Sequence, residues 1–139
     1  MKSLDISKIF EKEYKGVNPK ELSPLVLAYI GDSIFEILVR TVVISEGNAP
    51  VNRLHKKAKL VVNAAAQAAM FFRIENCLTP EEMSVFKRGR NAKSYTVPKN
   101  ADISDYRHAT GLEAVFGYLY LDGKLDRAIE LFNYGMMKE

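Results

Sequence analysis

Residues 25–36, LVLAYIGDSIFE, constrain this chain more than any other stretch. Thirteen of the fifteen residues from 25 to 39 are uncharged, and the two exceptions, Asp32 and Glu36, are four apart on one helical face. A helix that is apolar nearly all round is expected to be buried. A carboxylate in such a helix is costly unless it is paired or holds a metal. Asp32 therefore needs a partner.

The boundaries of this helix are written in the sequence. Ser23-Pro24 supplies an N-cap and a proline at the first helical position, and Gly47 suits the left-handed turn that follows the end. Arg40 extends the polar line of Asp32 and Glu36 by one more turn. Gly31 stands beside that line. A glycine costs about 1 kcal/mol in a helix interior relative to alanine, which predicts close approach of another backbone next to the acid.

A second helix, expected over residues 105–122, repeats the arrangement. Leu112, Ala114, Val115, Phe116, Tyr118, Leu119, Tyr120 and Leu121 make it apolar nearly all round. Glu113 is the one acid between Asp105 and Asp122, and Gly117 lies one turn beyond it. If the two helices pack together, the carboxylates converge. Two carboxylates and water suit Mg²⁺, and a metal beside bound phosphates suits phosphodiester hydrolysis. The other reading makes Asp32 and Glu113 partners of Arg40, Arg107 or helix ends.

The remaining chain reads as helices and turns. A weakly periodic helix is expected over residues 3–14, and Lys15-Gly16-Val17-Asn18-Pro19 is a turn. A helix beginning at Ala49-Pro50 reaches Val62 or continues to Phe72, with Asn63 as a candidate break. Thr79-Pro80-Glu81-Glu82 starts another, with acids where the helix dipole favours them. It ends in Lys87, Arg88, Arg90 and Lys93. Residues 91–104 lack a period and read as a functional loop. After Gly123, a last amphipathic helix turns Leu125, Ala128, Ile129, Leu131 and Phe132 inward. No stretch alternates as a strand does. The expectation is an all-α fold with one domain over residues 1–139.

Charge is unevenly spread. Residues 47–107 carry 11 basic and 5 acidic side chains, whereas residues 1–46 carry 6 and 7 and residues 108–139 carry 3 and 5. A basic sector in a near-neutral domain suits a polyanion such as nucleic acid, or is a solvated lysine-rich face. The single cysteine, Cys77, excludes an internal disulfide. No signal-peptide pattern and no membrane-length apolar run is present, so the chain is expected in the cytoplasm, without membrane association. His55 and His108 lack a second His or Cys at ligand spacing and read as surface and helix-start residues.

Ala28-Tyr29-Ile30-Gly31-Asp32-Ser33 resembles the first signature of the ribonuclease III family, and residues 109–121, ATGLEAVFGYLYL, resemble its second acidic helix. Arg88-Gly89-Arg90-Asn91-Ala92-Lys93 is similar to the basic loop of the short branch, mini-ribonuclease III. The resemblance spans residues 20–135. It implies an all-α endonuclease that works as a homodimer on double-stranded RNA with Mg²⁺, maturing the ends of the large-subunit (23S) ribosomal RNA precursor. A ribosomal protein on that substrate is a further partner it raises. It assigns Asp32 and Glu113 as catalytic and metal-binding acids. Tyr29 takes the place of an aromatic that contacts the partner subunit; read from the residues alone, it is equally a core aromatic.

Two departures from the larger family are visible. Ala28 and Thr110 stand where full-length members carry two more acids, and no double-stranded-RNA-binding domain is expected. RNA contacts then fall to the domain itself, with Lys87, Arg88, Arg90, Lys93, Lys99 and Arg107 as candidates, through phosphates and 2′-hydroxyls. The missing acids also motivate an alternative, a non-catalytic RNA-binding or ribosome-assembly protein on the same fold.

Overall fold

The computed structural model describes residues 16–93, 99 and 102–137. Six α-helices lie among them: α1 (Pro24–Ser45), α2 (Val51–Lys59), α3 (Ala64–Ile74), α4 (Pro80–Asn91), α5 (Ile103–Leu121) and α6 (Leu125–Met136). One 3₁₀ turn, Pro19–Glu21, precedes α1 and another, Glu75–Cys77, joins α3 to α4, and no strand occurs among the described residues. The helix expected over residues 3–14 lies outside the described residues, as do residues 94–98, 100 and 101 of the loop 91–104.

Each start signal is used. The Ser23 hydroxyl accepts from the Val26 N–H at 3.3 Å. Asn63 does break the chain between two helices, because its side chain caps α3 by accepting from the Ala66 N–H at 2.8 Å. Thr79 and Glu82 form a reciprocal capping box at 3.1 and 2.9 Å. Helix α5 starts two residues earlier than the apolar pattern suggests, because Asp102 caps it through the Asp105 N–H at 3.0 Å. Gly47 and Gly123 follow α1 and α5 with φ of 136° and 75°, a region that L side chains rarely adopt.

Helix α5 is the central element. It packs on α1, α3, α4 and α6, and so buries Leu112, Val115, Phe116 and Leu119 on several sides. Phe35 of α1 meets Phe116 of α5 and Phe132 of α6, each at a ring separation of 5.6 Å. Phe71 of α3 stacks on Phe86 of α4. These aromatic contacts join α1 to α5 and α6, and α3 to α4.

Two expectations are corrected. Helix α1 is not buried all round: Leu27, Phe35, Val39 and Val43 face the core, but Leu25, Val26, Tyr29, Ile37 and Ile44 are exposed. Asp32 lies on that exposed side rather than in the interior. Hydrophobic composition alone hid this, because an apolar surface and an apolar core read alike in sequence. Ile129 of α6 is also exposed, while Ala128, Leu131 and Phe132 face inward as expected.

Candidate metal centre

The centre is made by the crossing of α1 and α5. A methyl group placed on Gly31 would lie 1.7 Å from the Glu113 carbonyl oxygen, and one on Gly117 would lie 1.9 Å from the Leu27 carbonyl oxygen. Neither helix could come this close with any larger residue at those positions. The expected backbone approach at Gly31 is thus present, and its neighbour across the contact is Glu113 itself. Asp32, one residue on, emerges at the rim of the crossing, while Glu113 is half-buried within it.

The two carboxylates come within hydrogen-bonding reach of each other. Burial pushes the Glu113 carboxyl up to about 8, and hydrogen bonding to Asp32 and repulsion from its charge push the same way. Glu36 adds a weaker repulsion. Glu36 itself is paired with Arg40 at 3.2 Å, so Arg40 is not the partner of Asp32. Arg107 is exposed at the start of α5. Among the described residues, no lysine or arginine is ion-paired with Asp32 or Glu113.

Gln67 of α3 completes the surroundings. Its amide adjoins the Glu113 carboxylate and partly offsets the upward push, yet its Nε2 is buried without a well-aligned hydrogen bond. This residue escaped sequence reasoning. The available signal was a single polar side chain inside the run Ala64-Ala65-Ala66-Gln67-Ala68-Ala69.

This donor set fits a divalent cation. Two carboxylates are held together with no neutralising side chain, and an orphaned amide stands beside one of them. Mg²⁺ takes one or two carboxylates and keeps several waters. Among the described residues no group of three His, Cys, Asp or Glu side chains is placed to hold a metal. The two positions where further acids were missed are closed to ligation: Ala28 is buried, and the Thr110 hydroxyl donates to the Tyr106 carbonyl at 3.0 Å.

The basic candidates are exposed, apart from Arg90. Lys87, Arg88, Lys93, Lys99 and Arg107 are open to solvent. The Arg88 guanidinium donates to the Leu22 carbonyl at 3.2 Å. Arg90 is half-buried, its guanidinium 5.7 Å from the Phe86 ring centre and its Nε donating to Asn91 at 3.1 Å. Tyr29 is 81% exposed, which excludes a core role for it in this chain. His108 packs among Phe71, Phe72 and Phe86, and its Nδ1 sits 2.7 Å from the Ser104 carbonyl oxygen.

A further acid was placed correctly but understood only in part. Glu82 caps α4, and the residue is also 4% exposed, its carboxylate clamped by Arg127 of α6 through two bonds of 2.9 Å. Arg127 also donates to the Cys77 carbonyl at 2.8 Å and to Glu130. The cluster locks α4, α6 and the turn between α3 and α4.

Comparison with known proteins agrees with this architecture. The ribonuclease III domain model matches residues 25–124. The chain is 50% identical to the mini-ribonuclease 3 of Clostridium tetani over 86% of its own length and 80% of that protein. It is 48% identical to the mini-ribonuclease 3 of Brevibacillus brevis, covering 87% of this chain and 90% of the relative. A crystal structure of a protein from Fusobacterium nucleatum superposes with a TM-score of 0.78 at 30% identity, over 86% of this chain and 98% of that one. The fold and the matched domain are those of a double-strand-specific endoribonuclease. The chain belongs to the ribonuclease III family, in its mini-ribonuclease III branch.

Proposed function

We propose that this chain cleaves double-stranded RNA with Mg²⁺ held by Asp32 and Glu113, and that it matures the ends of the 23S ribosomal RNA precursor. The observation that carries the reading is the pairing of these two acids without a counter-charge. When bound, a divalent cation polarises the scissile phosphate and lowers the pKa of an attacking water. Asp32, exposed at the rim, is the ligand that substrate and solvent reach first. Glu113, held deeper by the close contact of α1 with α5, fixes the depth of the site. The low dielectric around Glu113 strengthens its attraction to a cation.

Lys87, Arg88, Lys93, Lys99 and Arg107 supply phosphate contacts, and Arg90 is steadied on Phe86 so that its charge is presented in one place. Such contacts position a duplex without reading its sequence. A ribosomal protein seated on the precursor is a further partner in this reading. The protein acts in the cytoplasm; among the described residues no helix is long and apolar enough to cross a membrane.

The working unit is a homodimer. The exposed apolar stripe of α1, with Leu25, Val26, Tyr29, Ile37 and Ile44, supports a second copy of the chain as its cover. Tyr29 is the central contact in that reading. Because Asp32 shares the exposed side of α1, the two sites of such a dimer lie along its seam.

The test is incubation with duplex RNA in Mg²⁺ and in EDTA, with product mapping. Metal-dependent cuts in the duplex support the reading. Salt-sensitive binding without cleavage in any divalent metal would establish the RNA-binding alternative instead.

A further inference from the structure

Gln67 carries a cost that the packing of α3 does not explain. It is 5% exposed among alanines, and its buried Nε2, beside the Glu113 carboxylate, makes no well-aligned hydrogen bond. A buried donor left unpaired costs stability relative to an apolar side chain of the same shape. Methionine would fill nearly the same volume with no polar hydrogen to satisfy. The amide lies against the Glu113 carboxylate.

We propose that Gln67 is a positioning residue whose Nε2 holds the Glu113 carboxylate in the orientation that faces a divalent cation beside Asp32. The proposal rests on the reading of Asp32 and Glu113 as cation ligands. A carboxylate has two oxygens, and one turned toward a cation leaves the other in need of a donor. Helix α3 packs directly on α5 and brings the Gln67 amide against Glu113. An amide suits that place for a physical reason. It donates without a charge, so the negative charge that attracts the cation stays intact, whereas lysine or arginine would neutralise it. Groups that orient a metal ligand from behind typically matter 10–100-fold in metal affinity.

The experiment compares wild type, Gln67→Met and Asp32→Asn in three measurements. Mn²⁺ affinity without RNA is read by titration calorimetry, thermal unfolding is read in EDTA, and kcat and KM are read on duplex RNA. Gln67→Met is expected to weaken Mn²⁺ binding about 10–100-fold, to melt in EDTA at or above the wild-type temperature, and to lower kcat more than it raises KM. Gln67→Leu repeats the comparison if methionine does not fold. A merely structural Gln67 would instead show a lower melting temperature with wild-type Mn²⁺ affinity, and that result overturns the proposal. The control separates the two readings: if Asp32→Asn binds Mn²⁺ as tightly as wild type, the metal-centre reading fails and this proposal with it. If Asp32→Asn loses the metal and Gln67→Met does not, only the role of Gln67 fails.

Discussion

Gly31 of α1 lies against the backbone of Glu113 in α5, so closely that an added methyl group would sit 1.7 Å from the Glu113 carbonyl oxygen. The backbone of one acid's helix is thus the packing surface for the residue that precedes the other acid. Asp32 and Glu113 are 81 positions apart in the sequence, and this contact is what brings them together. Gly117 makes the reciprocal contact with Leu27 one turn along.

The first prediction concerns that contact. Gly31→Ala forces a carbon into main-chain atoms that cannot rotate away, unlike the end of a flexible side chain. Overpacking of this kind costs typically about 1–3 kcal/mol, and here the lower part of that range would require the helices to separate. Urea unfolding is expected to show a loss in that range or above it. RNA cleavage is expected to fall further than stability alone explains, since separating the helices also separates the acids. Gly16, with open space around it, is the control: Gly16→Ala should leave both unchanged.

The second concerns pH. Burial, together with Asp32, raises the Glu113 carboxyl from its ordinary value of 4.5 to about 8 in the folded protein. Between those values the folded chain holds a proton that the unfolded chain has released, so stability falls as pH rises. The loss begins near the ordinary carboxylate range and levels off above the folded value. In EDTA, thermal unfolding between pH 5 and pH 9 should show this decline, on the order of 2–4 kcal/mol in total. Glu113→Gln should flatten the profile. Saturating Mg²⁺ should restore stability most at the alkaline end, where the carboxylate is free to bind it.

The third concerns the buried clamp between Glu82 and Arg127. Removing one member of a buried, hydrogen-bonded ion pair strands the other and costs about 3–5 kcal/mol. Arg127→Met is expected to lower the unfolding free energy by roughly that much. Well below its melting temperature the variant should keep its metal dependence, because the clamp lies between α4 and α6 and touches neither Asp32 nor Glu113. Denaturation and cleavage assays on the same preparation check both parts.

The fourth concerns the exposed stripe of α1. A charge introduced into an apolar interface between two copies is desolvated without a partner and weakens association by several kcal/mol. Ile37→Asp is expected to shift the protein from dimer to monomer in light scattering. The same change on an uncovered surface would leave the mass unchanged, and it would then remove the dimer from the mechanism.

Much of the fold is legible in the sequence because its signals are local. Ser23-Pro24, Asn63, Thr79-Pro80 and Gly123 each act within one helical turn, and each marks a boundary in the structure. The convergence of Asp32 and Glu113 is legible for a different reason. Each stands in an otherwise apolar helix beside a glycine, a combination that asks for a close crossing. What the sequence hides is non-local. The apolar residues of α1 do not reveal which of them meet the core and which meet solvent, so Asp32 reads as buried when it is exposed. Glu82 reads as a first-turn acid, because nothing near it in the sequence announces Arg127, 45 residues on. Gln67 reads as a break in an alanine surface until α3 is laid against α5.

The most direct measurement is cleavage of a duplex RNA by Asp32→Asn, with wild type in Mg²⁺ and wild type in EDTA run alongside. The substitution keeps the size of the side chain and lies at an exposed position, so folding and mass should match wild type by circular dichroism and light scattering. Cleavage is expected to fall to the level of the EDTA control. An Asp32→Asn protein that folds normally and still cuts at the wild-type rate in Mg²⁺ would contradict the assignment of Asp32 and Glu113 as the metal centre.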